Sequence, residues 1–137
     1  MRELAERYIA RAGRLSPLEV REVRGGRSAD LERRKGEDMS ALKAAAAGGV
    51  AVLVTERGRG WKSRELSAWL ASRLNHGREA TWFLCGGEDG FRREDEGWAR
   101  ETMKLSDFTL PHELARVVLA EQVYRALSIA RNVKYHK

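Results

Sequence analysis

Apolar residues recur along this chain in two periods, and the switching between them predicts its architecture. Leu4, Tyr8 and Ile9, with Ala5 and Ala12, fall at helical spacing, and Gly13 is a stop signal. Leu18 to Val23 alternates apolar and charged residues, the period of a half-exposed strand. Gly25-Gly26-Arg27 reads as a loop. Asp30 to Ala47 reads as a long helix, charged first and alanine-rich later, ended by Gly48-Gly49. Val50 to Val54 is a continuous β-branched run, as in a strand covered on both faces. Ser63 to Asn75 sets Leu66, Trp69, Leu70 and Leu74 on one helical face, with Ser63 as the candidate N-cap. Ala80 to Cys85 is a second buried strand, Arg92 to Arg100 a short polar helix, and Met103 to Ser106 a brief strand. The last helix opens at Pro111-His112 and is apolar almost all the way round. A helix of that kind packs against more than one neighbour, and the polar residues it keeps need partners.

This order predicts an α/β fold, a mostly parallel sheet with helices on both faces, built as a single domain over residues 1–137. Ligands of such sheets sit in the crevice beyond the carboxyl ends of the strands. Three loops leave those ends, after Val54, after Cys85 and after Leu105, so function is expected there.

Composition narrows the possibilities. Hydrophobic residues make up 42% of the chain and can fill a core, while a charged fraction of 34%, mixed in sign, describes a solvated surface rather than a disordered chain. A net charge of +6 suits a polyanionic partner and equally serves solubility. The one cysteine, Cys85, excludes an intrachain disulfide and a cysteine-based zinc site. No two of His76, His112 and His136 have metal-ligand spacing, so no metal is expected. There is no secretory pattern at the start, and no apolar stretch approaches the ~20 residues a bilayer requires. A cytoplasmic protein with no membrane association is the expectation.

Two loops carry candidate chemistry. Gly86-Gly87-Glu88-Asp89-Gly90 follows a buried strand and is neither the dinucleotide fingerprint nor a phosphate loop with its Lys-Ser/Thr pair. Its acids disfavour a phosphate and suit hydroxyls or a cationic centre; a plain tight turn is the competing reading. Arg57, Arg59 and Lys62 surround Trp61 in a glycine-containing loop that fits RNA phosphates and a stacked base, or a solvated loop. On the last helix Arg116 and Arg125 are nine residues apart, about two and a half turns, and so face opposite ways. One can meet phosphate or a partner subunit, and the other can pair with Glu121 or a local carbonyl. The absence of a Lys-Ser/Thr loop and of metal ligands makes a nucleotide hydrolase a poor fit. A structural homodimer using the last helix as its interface is disfavoured by the polar tail.

Taken together, the string from Leu110 through Val118-Leu119-Ala120-Glu121-Gln122-Val123-Tyr124-Arg125-Ala126 to Tyr135-His136-Lys137 resembles the C-terminus of the ribosomal RNA large subunit methyltransferase H family. Cys85 to Gly90 is similar to that family's Ile-Gly-Gly-x-x-Gly loop, and Val54 to Trp61 to its strand followed by a Gly-Lys loop. The resemblance implies a SPOUT-type domain with a C-terminal trefoil knot, working as a homodimer. The implied reaction moves a methyl group from S-adenosylmethionine to N3 of a pseudouridine in 23S ribosomal RNA of the assembled ribosome. By motif, the cofactor site comprises Val54, Gly86, Gly87 and the loop Leu105, Ser106, Asp107, Phe108, Thr109 and Leu110. Val54 stands where leucine is more usual, still an apolar wall for adenine. Arg125, Tyr135 and His136 are the candidates for orienting the uracil ring and stabilising its N3 anion, contributed by the partner subunit. Arg57, Arg59, Lys62 and Arg116 are the candidate RNA contacts. Family members begin with a strand before the first helix, whereas Met1 here leads almost directly into that helix: either the sequence starts downstream of the true start or the protein lacks that strand. A basic ribosome- or RNA-binding homodimer without catalysis is the alternative.

Overall fold

The continuous β-branched run becomes the central strand of a three-stranded parallel sheet in the computed structural model of the chain, which describes residues 1–135. Two compact units make up the chain. One holds residues 21–60 and 79–107, and the other residues 1–20, 61–78 and those from 108 onward. The helices of the second unit are α1 (Arg2–Leu15), α3 (Ser63–His76) and α5 (His112–Ala130). The first unit holds α2 (Leu31–Ala45), β1 (Val50–Val54), β2 (Thr81–Cys85), α4 (Arg93–Glu96) and β3 (Glu101–Met103).

In the sheet unit the strand order is β2-β1-β3. Val50 pairs with Thr81 and Val54 with Cys85 on one side, and Val52 with Glu101 and Val54 with Met103 on the other. Leu53 has 0% of its surface exposed. It joins Met39, Ala46, Ala51, Leu84 and Phe91 in one core cluster. α2 supplies Met39 and Leu42 to this cluster from positions three apart, the spacing of one helical face. Its first turn is capped by Asp30, whose carboxylate accepts from the Arg33 N–H at 2.9 Å. Asp30→Ala is therefore expected to cost about 1 kcal/mol, read as a lower urea midpoint with an unchanged slope.

In the helical unit α5 packs against both α1 and α3. Val117, Ala120, Val123, Ala126, Leu127 and Ser128 are buried along it, as its apolar surround predicts. Small residues at Ala5 and Ala12 of α1 are buried too. Polar groups on α5 find partners: Ser67 Oγ donates to the Ala126 carbonyl at 2.8 Å, and Ser63 Oγ to Gln122 Oε1 at 2.7 Å.

Several boundaries differ from the sequence pattern. Leu18 to Val23 is not a strand; Leu18 and Val20 are exposed, and no strand pairs with the segment. Alternation makes a strand only where a neighbour accepts its backbone hydrogen bonds. Here Arg21 anchors the chain by its side chain, donating to the Ala45 carbonyl at 3.0 Å and lying over the Trp82 ring. β3 spans Glu101–Met103 rather than Met103 to Ser106, because its partner β1 ends at Val54; beyond it only Lys104 forms an isolated bridge, to Gly60. α1 runs through Gly13 to Leu15. Lys62, not Ser63, is the N-cap of α3, leaving the Ser63 hydroxyl to reach α5. The polar helix shrinks to Arg93–Glu96.

Candidate functional site

Register places the ends of all three strands together. Val54 is opposite both Cys85 and Met103, so the loops that follow leave one end of the sheet. Val54, Gly86, Gly87, Leu105, Ser106 and Asp107 are thereby gathered in the sheet unit, while Phe108, Thr109 and Leu110 belong to the helical unit. Phe108 is 83% exposed.

The loop after β1 is held by its own backbone. Thr55 N–H donates to the Met103 carbonyl at 2.9 Å, and Gly58 N–H to the Thr55 carbonyl at 3.0 Å. A Cβ on Gly58 would come within 2.7 Å of the Met103 backbone, so only glycine permits this approach. Arg57 reaches across to the far end of the glycine loop, donating to the Phe91 carbonyl at 2.9 Å and pairing with Glu96 at 2.7 Å. Thr55 Oγ1 donates to the same carboxylate at 3.3 Å. Arg57 thus ties two loops at this sheet end. Arg59 lies 3.9 Å from Glu101, and Lys104 N–H donates to the Arg59 carbonyl at 2.9 Å.

The glycine loop is both a turn and an approachable surface. Gly90 N–H donates to the Gly87 carbonyl at 3.1 Å, and Gly90 has φ of +74°, which an L side chain rarely adopts. A Cβ on Gly86 would lie 3.2 Å from the Phe91 ring. α2 braces the loop: Arg34 donates from Nε and Nη2 to Asp89 Oδ2 at 3.1 and 2.9 Å. Asp38 accepts from the Gly26 N–H, and its Oδ2 lies 3.4 Å from where a Gly87 side chain would begin. Gly87, Glu88 and Asp89 are exposed. Bare backbone, an apolar Val54 and nearby carboxylates favour a ligand with apolar, hydroxyl and cationic parts over a phosphate. In the loop after β3, Lys104 pairs with Asp107 at 2.5 Å; that hydrogen bond, then its charge, holds the Asp107 carboxyl below its usual range.

A second constellation lies in the helical unit. Arg125 Nε donates to Glu121 Oε1 at 2.8 Å, across one turn of α5. Gln122 donates to the other Glu121 oxygen at 3.0 Å. Tyr135 stacks edge-on against Tyr124 at 4.5 Å between ring centres, and Arg125 lies over the Tyr135 ring at 5.2 Å. Tyr8 of α1 completes the group, its ring 6.2 Å from Tyr124 and 6.5 Å from Tyr135. The structure therefore brings Arg125 and Tyr135 together; His136 lies outside the described residues. Lys62 is exposed before α3 and Arg116 is half-buried on α5, both in this unit. Tyr8 was legible only as part of the apolar face of α1, since nothing local marks a tyrosine as the neighbour of a residue 127 positions away.

Burial first, then the hydrogen bond to Tyr8 and the Glu121 charge, pushes the Tyr135 phenol up to about 12. The folded value lies above the ordinary tyrosine value of 10.0, so the stability due to the neutral phenol is complete below pH 10 and is lost as pH rises toward 12. Tyrosine-resolved NMR should show Tyr135 still protonated at pH 11; a midpoint near 10 would contradict the packing. Hydrogen bonding to Glu121 raises Arg125 further above its ordinary value, keeping it charged.

Among the described residues no group of three or more His, Cys, Asp or Glu side chains could hold a metal ion, and no helix is long and apolar enough to cross a membrane. The family model described as Predicted SPOUT methyltransferase matches residues 1–136. Over 134 residues the chain is 39% identical to the ribosomal RNA large subunit methyltransferase H of Oleidesulfovibrio alaskensis, covering 96% of this chain and 86% of that protein. The protein of the same name from Solidesulfovibrio magneticus is 40% identical over 98% of this chain and 88% of its own length. That from Methylococcus capsulatus is 35% identical over 96% and 87%. A parallel sheet with loops gathered at its carboxyl end, and a match running nearly end to end, make this chain a member of the SPOUT methyltransferase family.

Proposed function

We propose that this chain transfers the methyl group of S-adenosylmethionine to N3 of a pseudouridine in 23S ribosomal RNA within the assembled ribosome. The observation that carries the reading is identity of 35–40% to proteins named ribosomal RNA large subunit methyltransferase H, over nearly the whole chain. The net charge of +6 is consistent with a polyanionic substrate and modest enough to favour recognition in the ribosomal context over free RNA.

The residues at the sheet end suit this cofactor. Val54 offers an apolar wall for adenine, Gly86 and Gly87 offer backbone groups, and the loop Leu105 to Leu110 closes the set. Asp38, whose Oδ2 lies 3.4 Å from where a Gly87 side chain would begin, supplies negative surroundings for a sulfonium cation, whereas Asp89 is already paired with Arg34. When bound, S-adenosylmethionine supplies an electrophilic methyl carbon.

Displacement at carbon depends on alignment more than on strong acids or bases. N3 of the uracil ring gives up its proton to solvent, no side chain being assigned as base, and the resulting charge spreads onto the two flanking carbonyl oxygens. A phenol that stays protonated to about 12 cannot act as the base near neutral pH, but it can donate a hydrogen bond to such an oxygen. Tyr135 takes that role here. Arg125, held by Glu121, presents a fixed cation beside it, and His136 works with them on the ring. The reading includes a homodimer in which the tail of one subunit serves the cofactor loops of its partner, and the trefoil knot of the family.

The test is calorimetric titration of S-adenosylmethionine into the chain, with light scattering for its mass, followed by transfer of labelled methyl to ribosomes lacking the modification. One cofactor per subunit of a dimer and one methyl per ribosome are expected. A well-folded chain that binds no S-adenosylmethionine overturns the catalytic reading in favour of a ribosome-binding protein without activity. Methylation at any atom other than N3 of pseudouridine overturns the substrate assignment.

A further inference from the structure

The tail residue Tyr135 is fixed from α1 as well as from α5. Its hydroxyl donates toward the Tyr8 hydroxyl at 3.4 Å and toward Glu121 Oε1 at 3.5 Å. Both distances are long for hydroxyl hydrogen bonds, so neither acceptor alone holds the proton; the pair defines a direction between them. The rings reinforce it. Tyr8 meets Tyr135 edge to face with an interplanar angle of 73°, and Tyr124 meets it at 61°. Such geometries place the positive edge of one ring against the negative face of another. Arg11, one turn further along α1, lies 6.0 Å from the centre of the Tyr8 ring and 5.9 Å from that of Tyr124. It is thus a cation beside the two rings that flank the tail. Tyr8 itself is half-buried between these groups, and buried Ala5 and Ala12 seat α1 against the unit's core.

We infer that Tyr8 is a positioning residue for methyl transfer: its hydroxyl and ring fix the direction in which the Tyr135 hydroxyl points. The inference rests on the reading of Tyr135 as a hydrogen-bond donor to the substrate. Tyr8 need not touch substrate or cofactor. It restricts Tyr135 from α1, opposite its contacts with Tyr124, Arg125 and Glu121 of α5. Without it the Tyr135 hydroxyl would still have Glu121 as an acceptor and would turn toward that carboxylate, away from an arriving carbonyl oxygen. The chemistry predicts a selective defect, because the ring of phenylalanine preserves the packing while the acceptor is lost. In apo enzymes such catalytic contacts are commonly long and tighten only with substrate in place, which is the behaviour expected here.

The experiment uses Tyr8→Phe in the full chain, with two readouts. The first is the alkaline titration of Tyr135 by NMR on tyrosine-labelled protein, which requires no substrate. The second is methyl transfer to unmethylated ribosomes, with kcat and KM measured separately, beside the affinity for S-adenosylmethionine. Expected are a Tyr135 titration moved down toward the ordinary tyrosine range, a kcat lowered about 5- to 20-fold, and unchanged cofactor affinity and thermal midpoint. A Tyr135 titration identical to that of the unsubstituted chain overturns the inference whatever the activity. So does a moved titration with full turnover. If the unsubstituted chain transfers no methyl group, the functional reading fails, and a positioning role in methyl transfer fails with it. The titration then still decides whether Tyr8 orients Tyr135.

Discussion

Replacing Arg92 with methionine is expected to destabilise the protein, read as a lower urea midpoint with an unchanged slope. Its partner Asp95 is only 3% exposed, and Arg92 satisfies both carboxylate oxygens, from Nε at 2.8 Å and Nη2 at 3.0 Å. Removing the guanidinium strands a buried negative charge, and the cost is chiefly that stranding rather than the loss of the pair itself. The hydrogen bond to Asp95 is also the leading reason the Arg92 pKa is raised. The nearby Glu94 is largely exposed and contributes little by comparison. The double variant Arg92→Met, Asp95→Leu should recover most of the loss, because no unpaired charge remains. Urea unfolding of the three proteins decides it; a double variant no more stable than Arg92→Met would exclude charge stranding as the cause. Gly36 belongs to the same construction. A Cβ there would lie 2.9 Å from Arg92 Nη1, so α2 and the turn before α4 are fitted to each other next to the glycine loop.

Tyr135→Phe is expected to lower kcat by roughly 10²-fold, the scale of losing one donor to a developing oxyanion. The ring contacts with Tyr124 and Tyr8 survive the change, so folding and S-adenosylmethionine affinity should hold. Because the phenol ionises only at about 12, the rate of the unsubstituted enzyme should show no alkaline loss attributable to Tyr135 across the ordinary working range. Single-turnover transfer to ribosomes is the measurement. Full turnover by the phenylalanine variant would remove Tyr135 from the chemistry, and His136→Ala tests the neighbouring residue in the same way.

Arg57 shows how a plausible surface charge acquires a different place. In the sequence it sits among glycines and cations beside Trp61, a pattern suited to RNA. In the structure its guanidinium spans from the loop after β1 to Phe91 and Glu96, so its first contribution is to the geometry of the sheet end. Lys62, by contrast, is exposed ahead of α3.

Local pattern was enough for the features that depend on neighbours in sequence. Period and β-branching marked β1, β2 and most helices, since burial of one face is encoded by spacing alone. Glu121 was legible as a possible partner for one of the two arginines on this helix, and the structure assigns it to Arg125, four residues away. The three loops at the strand ends followed from the alternation of elements, because parallel strands place their carboxyl ends together. What depends on distant residues was not legible. Leu18 to Val23 has the alternation of a strand, but no partner edge meets it, and without one its backbone takes no place in the sheet. The end of β3 was set by where β1 stops. Asp38 beside Gly87, Arg92 under Gly36 and Tyr8 against Tyr135 are meetings of side chains far apart in the chain. Sequence by itself determined β1, β2, the longer helices and the family, because periodicity and long motifs are properties of a string. Only the tertiary structure decided which charges are buried, which loops are tied and what holds the tail, because these depend on distances that folding alone creates.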